Sequence, residues 1–202
     1  MHLLLKKYTI TAFTILTLFT SGITEAVAVL PDNLKDVHTY QSVGTVDVAF
    51  SPSGGITNMI IREIAKAQST IQVQAYSFTS PEIINALITA KKRGIDVRII
   101  IDKSNVAGID KDSSRAIRMK NLYSAVIENG IPIKIDDAFQ IAHSKIMIID
   151  EIDVITGSFN FSYSAEHNNA ENCLIIHGNK QLAEQYMKNW QWRWDAIKNY
   201  SK

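Results

Sequence analysis

From Thr45 onward the chain alternates between two hydrophobic periods. "TVDVAFSP" carries apolar residues at every second position and stops at Pro52 and the Gly54–Gly55 pair, as a half-buried strand does. "ITNMIIREIAKAQ" then places Ile56, Met59, Ile60, Ile64 and Ala67 on one face of a helix. "TIQVQAYSF" returns to alternation. "TSPEIINALITAKKRG" is the best-marked helix of the chain. Thr79 or Ser80 can cap it, Pro81 suits its first turn, Glu82 complements the dipole, and Lys91 to Arg93 precede a terminating Gly94.

"IDVRIIID" reads as a strand buried on both faces, as in a parallel sheet. A helix is expected from Ser113 to Asn129, ending at Gly130. Four closely spaced strands follow in "IPIKIDD", "IAHSKIMIID", "DVITGSFNFS" and "NCLIIH", and a helix from about Asn179 to Ile197 closes the chain. No internal repeat, low-complexity tract or flexible linker interrupts this order. The expectation is one α/β domain over residues 29–202, with a mixed, largely parallel sheet flanked by helices. Crossover helices come early and tighter strand connections late.

Residues 1–28 follow another pattern. "MHLLLKK" is a short basic start, "YTITAFTILTLFTSGIT" carries no charge, and "AVA" ends the segment as a small-x-small cleavage site. This is the layout of a signal peptide, with an uncleaved anchor as its rival, and it implies export to the periplasm or beyond. Without Lys6, Lys7 and Glu25, the 21 basic and 20 acidic residues become 19 of each. A neutral chain lacks the global basic field usual for a nucleic-acid binder, so attraction for an anionic substrate must be local. The lone Cys173 sits among apolar residues and reads as a buried free thiol.

Polar residues placed within apolar strands carry the candidate chemistry. In "HSKIMIIDEIDVITGSFN", His143 and Lys145 are two apart, and so are Ser158 and Asn160 beyond Gly157. Strand alternation gives each pair a common face, and neighbouring strands would bring all four groups together. An imidazole can attack phosphorus or shuttle a proton near neutral pH. Lys, Ser and Asn can cradle the oxygens of a phosphodiester. Asp150, seven residues from His143, falls on the opposite face and reads as a structural partner.

The spacing His143-x-Lys145, Asp150, then Gly157-Ser158-x-Asn160 resembles the single HKD signature of the phospholipase D superfamily. The order of elements is similar to that of its small bacterial secreted endonuclease branch. The resemblance implies metal-independent hydrolysis through a covalent phosphohistidine, without a cofactor. It assigns His143 as nucleophile, Lys145, Ser158 and Asn160 as phosphate ligands, and Glu171 as the acid that orients the imidazole. A second histidine must protonate the leaving group, so one signature implies a homodimer with the site on its two-fold axis.

The substrate stays open between nucleic acid, DNA or RNA, and a phospholipid head group. A non-catalytic binding module on the same fold is the remaining reading. Other features have plainer explanations. His167 and His177 read as surface or packing residues, and no H-E-x-x-H or Cys/His spacing points to a metal. Lys91 to Arg93 suit a helix C-terminus. The basic stretch from Asp102 to Asn121 is either a substrate-facing loop or a solvated face. Leu182, Tyr186, Trp190 and Trp194 share a buried stripe, whereas Trp192 points elsewhere.

Overall fold

The computed structural model describes residues 30–107 and 113–197, and the expected leader, residues 1–28, lies outside them. Among the described residues, helices separate the strands except from β4 to β6, giving seven strands and five α-helices. The strands are β1 (Val46–Phe50), β2 (Thr70–Ala75), β3 (Asp96–Asp102), β4 (Ile133–Asp136), β5 (Lys145–Ile149), β6 (Asp153–Gly157) and β7 (Asn172–Ile176). The helices are α1 (Ile56–Lys66), α2 (Pro81–Lys92), α3 (Ser114–Glu128), α4 (Tyr163–His167) and α5 (Lys180–Ala196). No described helix is long and apolar enough to cross a membrane.

All strands join one mixed sheet in the order β1-β7-β6-β5-β2-β3-β4. The α/β class and the single mixed sheet agree with the sequence pattern, but the parallel share is smaller than expected. Only β2–β3 and β3–β4 run parallel, through the crossovers α2 and α3. The other four pairings are antiparallel: β5–β6 is a tight hairpin, β6 returns to β7 through the segment bearing α4, and β2–β5 and β1–β7 join strands distant in sequence. Between β5 and β6 only Asp150–Ile152 intervene; Asp150 and Glu151 are both left-handed, with φ of 53° and 57°, and the Ile152 N–H donates to the Ile149 carbonyl to close the turn.

Helices cover both faces of the sheet. On one, Ile56, Ile60 and Ile64 of α1, Ile83 and Leu87 of α2 and Val126 of α3 pack on Val73, Ile99, Met147, Ile155 and Ile175. On the other, Ala183 and Trp190 of α5 cover Ile100, Ile148 and Val154, and Trp194 stacks on Trp190 at 4.9 Å. Trp192 leaves that stripe and meets Phe139 edge-on. Helix α5 lies over the centre of the sheet and leaves the edge strand β1 bare on that face. Val46, Val48 and Phe50 are 52–64 % exposed there.

Local signals act as their chemistry suggests. Ser80 caps α2 by accepting from the Ile83 N–H, with Pro81 as its first residue. Arg93, at the end of α2, donates to the last carbonyls of α1, those of Ile64 and Ala67. The short α4 had no sequence signal of its own. Its Glu166 carboxylate accepts from the Gly55 and Thr57 N–H groups and thereby caps α1 from a distance.

Candidate active site

The signature residues gather where β5 begins, β6 ends and β7 begins. His143 precedes β5, and Ser158 and Asn160 follow β6. Simple strand alternation therefore applies to neither expected same-face pair, and loop geometry at the sheet rim sets these side chains instead. Gly157 explains how the rim closes. A Cβ there would stand 2.3 Å from the Asn172 carbonyl oxygen, which accepts from the N–H groups of both Ser158 and Phe159. Only a residue without a side chain permits that approach. The Ser158 hydroxyl then accepts from the backbone and side-chain N–H groups of Asn172.

His143 is exposed, and its ring lies 4.4 Å from that of Tyr76, tilted by 52°. Lys145 is buried, with 7 % of its surface exposed, and its ammonium donates to the His143 carbonyl at 2.7 Å. That ammonium also lies over the Tyr76 ring. Burial lowers the Lys145 pKa, and the opposing pull of Glu171 and Asp102 offsets only part of it. Glu171 is thus a charge neighbour of Lys145. Its own carboxylate accepts from the Asn169 side chain at 3.0 Å, and among the described residues it does not bond His143.

Asn160 is half-buried. Its Oδ1 is buried without a hydrogen-bond partner among the described residues. An unpaired buried amide oxygen costs about 1–3 kcal/mol, which a ligand donating to it would relieve. Asp150 lies at the far end of β5, about 17 Å of extended strand from Lys145. Its carboxylate accepts from the backbone N–H groups of Gln68, Ser69 and Thr70 and from the Ser69 hydroxyl, at 2.7–3.0 Å. Partial burial raises its pKa, but those bonds together outweigh it and hold the carboxyl below its ordinary value.

Sequence reasoning missed four residues that build this rim. The buried Asp102 accepts from the Ala142 N–H at 2.7 Å and so fixes the chain immediately before His143. Asn105 holds the Tyr76 carbonyl and the Phe78 N–H, and Tyr123 donates to the Phe78 carbonyl, anchoring the segment that carries Tyr76. Ser51 bridges the Asn169 carbonyl and the Glu171 N–H. Asp102 and Asn105 lie in the basic Asp102–Asn121 stretch, whose residues 108–112 are outside the described part. Charge count drew the eye there, while the uncharged Asn105 does the anchoring.

A sheet end that presents an exposed imidazole beside a buried ammonium, a hydroxyl and an unpaired carboxamide is suited to phosphoryl chemistry. Comparison with known proteins agrees. A family profile described as "Cardiolipin synthase, PLD-like domain" matches residues 60–194. The chain is 37% identical over 174 residues to a phospholipase D of Rickettsia typhi, covering 85% of this chain and 80% of that one. With a phospholipase D of Rickettsia prowazekii the identity is 42% over 149 residues, 74% of this chain and 67% of the other. Among solved structures, the phospholipase D family member Nuc from Salmonella typhimurium superimposes with a TM-score of 0.68 at 38% identity, covering 78% of this chain and 99% of Nuc. The chain belongs to the phospholipase D superfamily, and it is a hydrolase of phosphodiester bonds.

Proposed function

We propose that this hydrolase is a metal-independent endonuclease of low sequence specificity that works through a phosphohistidine on His143. The observation that carries the reading is the exposed His143 imidazole at an open rim, next to a buried ammonium. One imidazole nitrogen attacks phosphorus, and the bond from phosphorus to the leaving oxygen breaks as a second imidazole protonates that oxygen. The same second imidazole then takes a proton from water, which displaces His143 and releases the phosphomonoester. Lys145, Ser158 and Asn160 bind the non-bridging oxygens, where negative charge is greatest in the transition state. Glu171 accepts the other imidazole N–H once substrate draws the rim together.

The second imidazole comes from another copy of the chain, since one chain carries one signature. The bare Val46, Val48 and Phe50 strip supports this homodimer. It ends at Phe50, which pairs with Asn172, the partner of Ser158. Export to the periplasm or beyond, as the leader pattern implies, belongs to the same proposal.

A second reading is hydrolysis of glycerophospholipid head groups. It is favoured by the relatives named phospholipase D and by the same apolar strip, which could meet a bilayer. The purified protein and its His143→Asn variant are compared on DNA, RNA and phosphatidylcholine vesicles, with and without EDTA. Nucleic-acid cleavage that survives EDTA and is lost in the variant is the expected result. Turnover of vesicles alone would replace the nuclease reading with the lipase one, and no turnover would favour a binding module. In a homodimer, Phe50→Asp yields an inactive monomer by sedimentation, and a fully active monomer refutes the shared site.

A further inference from the structure

At the sheet end opposite His143, Glu63 of α1, Asp153 at the start of β6 and His177 just after β7 converge. One ligand atom from each lies within 4.8 Å of the other two. The second polar atom of every one of these side chains is already engaged. Glu63 Oε2 accepts from Lys66 at 2.8 Å, Asp153 Oδ1 accepts from the Gly178 N–H at 2.7 Å, and His177 Nε2 meets Asp47 Oδ2 at 3.2 Å. The three remaining atoms, Glu63 Oε1, Asp153 Oδ2 and His177 Nδ1, face one another. Nδ1 stands 3.8 Å from Oε1 and 3.5 Å from Oδ2, too far for good hydrogen bonds.

In the neutral tautomer that donates Nε2–H to Asp47, Nδ1 carries a bare lone pair. That lone pair then points at two carboxylate oxygens, one of them on a side chain only 5 % exposed. In that tautomer three acceptors face one another, a repulsive arrangement that a cation among them, or a proton on Nδ1, relieves. Separations of 3.5 and 3.8 Å fit ligands about 2.0–2.2 Å from a common zinc-sized centre. The wider charge count agrees. Asp47, Glu63 and Asp153 bring three negative charges and Lys66 returns one, so a neutral His177 leaves the cluster short by the charge of one divalent ion. Carboxylate–histidine–metal relays of the Asp47–His177 kind are the common outer support of such sites.

We propose that Glu63, Asp153 and His177 form a structural site for a divalent cation of the zinc class, with Asp47 orienting the imidazole and Lys66 the Glu63 carboxylate. The cation ties α1 to β6, β7 and, through Asp47, to β1. It takes no part in hydrolysis, because the His143 rim is at the other end of the same strands. The ligands stand at 63, 153 and 177, so no sequence motif could announce them.

The test uses tag-free protein, stripped with EDTA and titrated with zinc chloride. Calorimetry and elemental analysis are expected to give one bound zinc per chain. The melting temperature is expected to rise by on the order of 5–10 °C at a hundredfold excess over Kd. Cobalt in place of zinc is expected to give visible d–d bands. Asp153→Asn and His177→Asn lose both the stoichiometric metal and the thermal shift, while hydrolysis at 25 °C stays within twofold. Absence of stoichiometric zinc in the unmodified protein overturns the site, as does binding that both variants retain. An effect of pH alone, without metal, would show that a proton on His177 neutralises the cluster. Each of these failures leaves the His143 reading untouched.

Discussion

Asp150 is the signature residue that looks most catalytic, and its environment predicts otherwise. Replacing it with Ala removes an acceptor for three backbone N–H groups and one hydroxyl in the loop between α1 and β2. Water can reach part of this site, so each lost bond is worth about 0.5–1.5 kcal/mol rather than the value for a fully buried charge. Three backbone bonds then amount to about 2–4 kcal/mol. Asp150 also holds a φ of 53°, where an Ala side chain adds about 1 kcal/mol of strain. Asn tolerates that conformation and keeps one acceptor, so Asp150→Asn should cost about half as much. Urea unfolding of both variants measures these values. The rate per folded molecule, on a small phosphodiester such as bis(p-nitrophenyl) phosphate, should fall less than threefold. The depressed carboxyl sets the sign with pH. Its stabilisation is full above the ordinary Asp pKa of 3.8 and is lost as pH falls through the lower folded value. Unchanged stability in Asp150→Asn, together with activity as low as in His143→Asn, would refute a structural role.

Gly157→Ala should force the β6–β7 pair apart at the Asn172 carbonyl, displacing Ser158. A loss of about 2–3 kcal/mol in unfolding and more than tenfold in kcat is expected, whereas Gly55→Ala, which meets no neighbour but holds a left-handed φ of 81°, should cost stability and leave kcat unchanged. In the proposed mechanism Lys145 holds phosphate as an ammonium, and burial lowers its pKa, so kcat/KM should fall on the alkaline side below pH 10.5. Stability should instead rise with pH through that interval, because the unfolded chain binds more protons there. Lys145→Met, assayed across pH, should lose this alkaline limb along with most of the activity. A limb that persists in the variant belongs to another group.

Much of the fold was legible because it rests on periods short enough to read along a chain. The Ser80–Pro81 start and Gly94 stop of α2, the alternation of β1 and β2 and the apolar stripe of Trp190 and Trp194 are local patterns with local causes. So is the spacing of His143, Lys145, Ser158 and Asn160, which carries the resemblance to the phospholipase D superfamily to which the chain belongs. Tertiary structure decided the rest. Strand order and direction depend on pairings between strands distant in sequence, such as β1 with β7 and β2 with β5, which no local period records. His143 and Ser158 sit in loops at the rim, where contacts with Asp102, Ala142 and Asn172 replace strand alternation. Asn105 and Tyr123 support the segment bearing Tyr76 through bonds that no sequence period records. His177, unremarkable in sequence, meets Glu63 and Asp153 only because α1 and β7 end where β6 begins. A sequence fixes what its near neighbours can do, and burial then selects which distant groups must answer one another's charge.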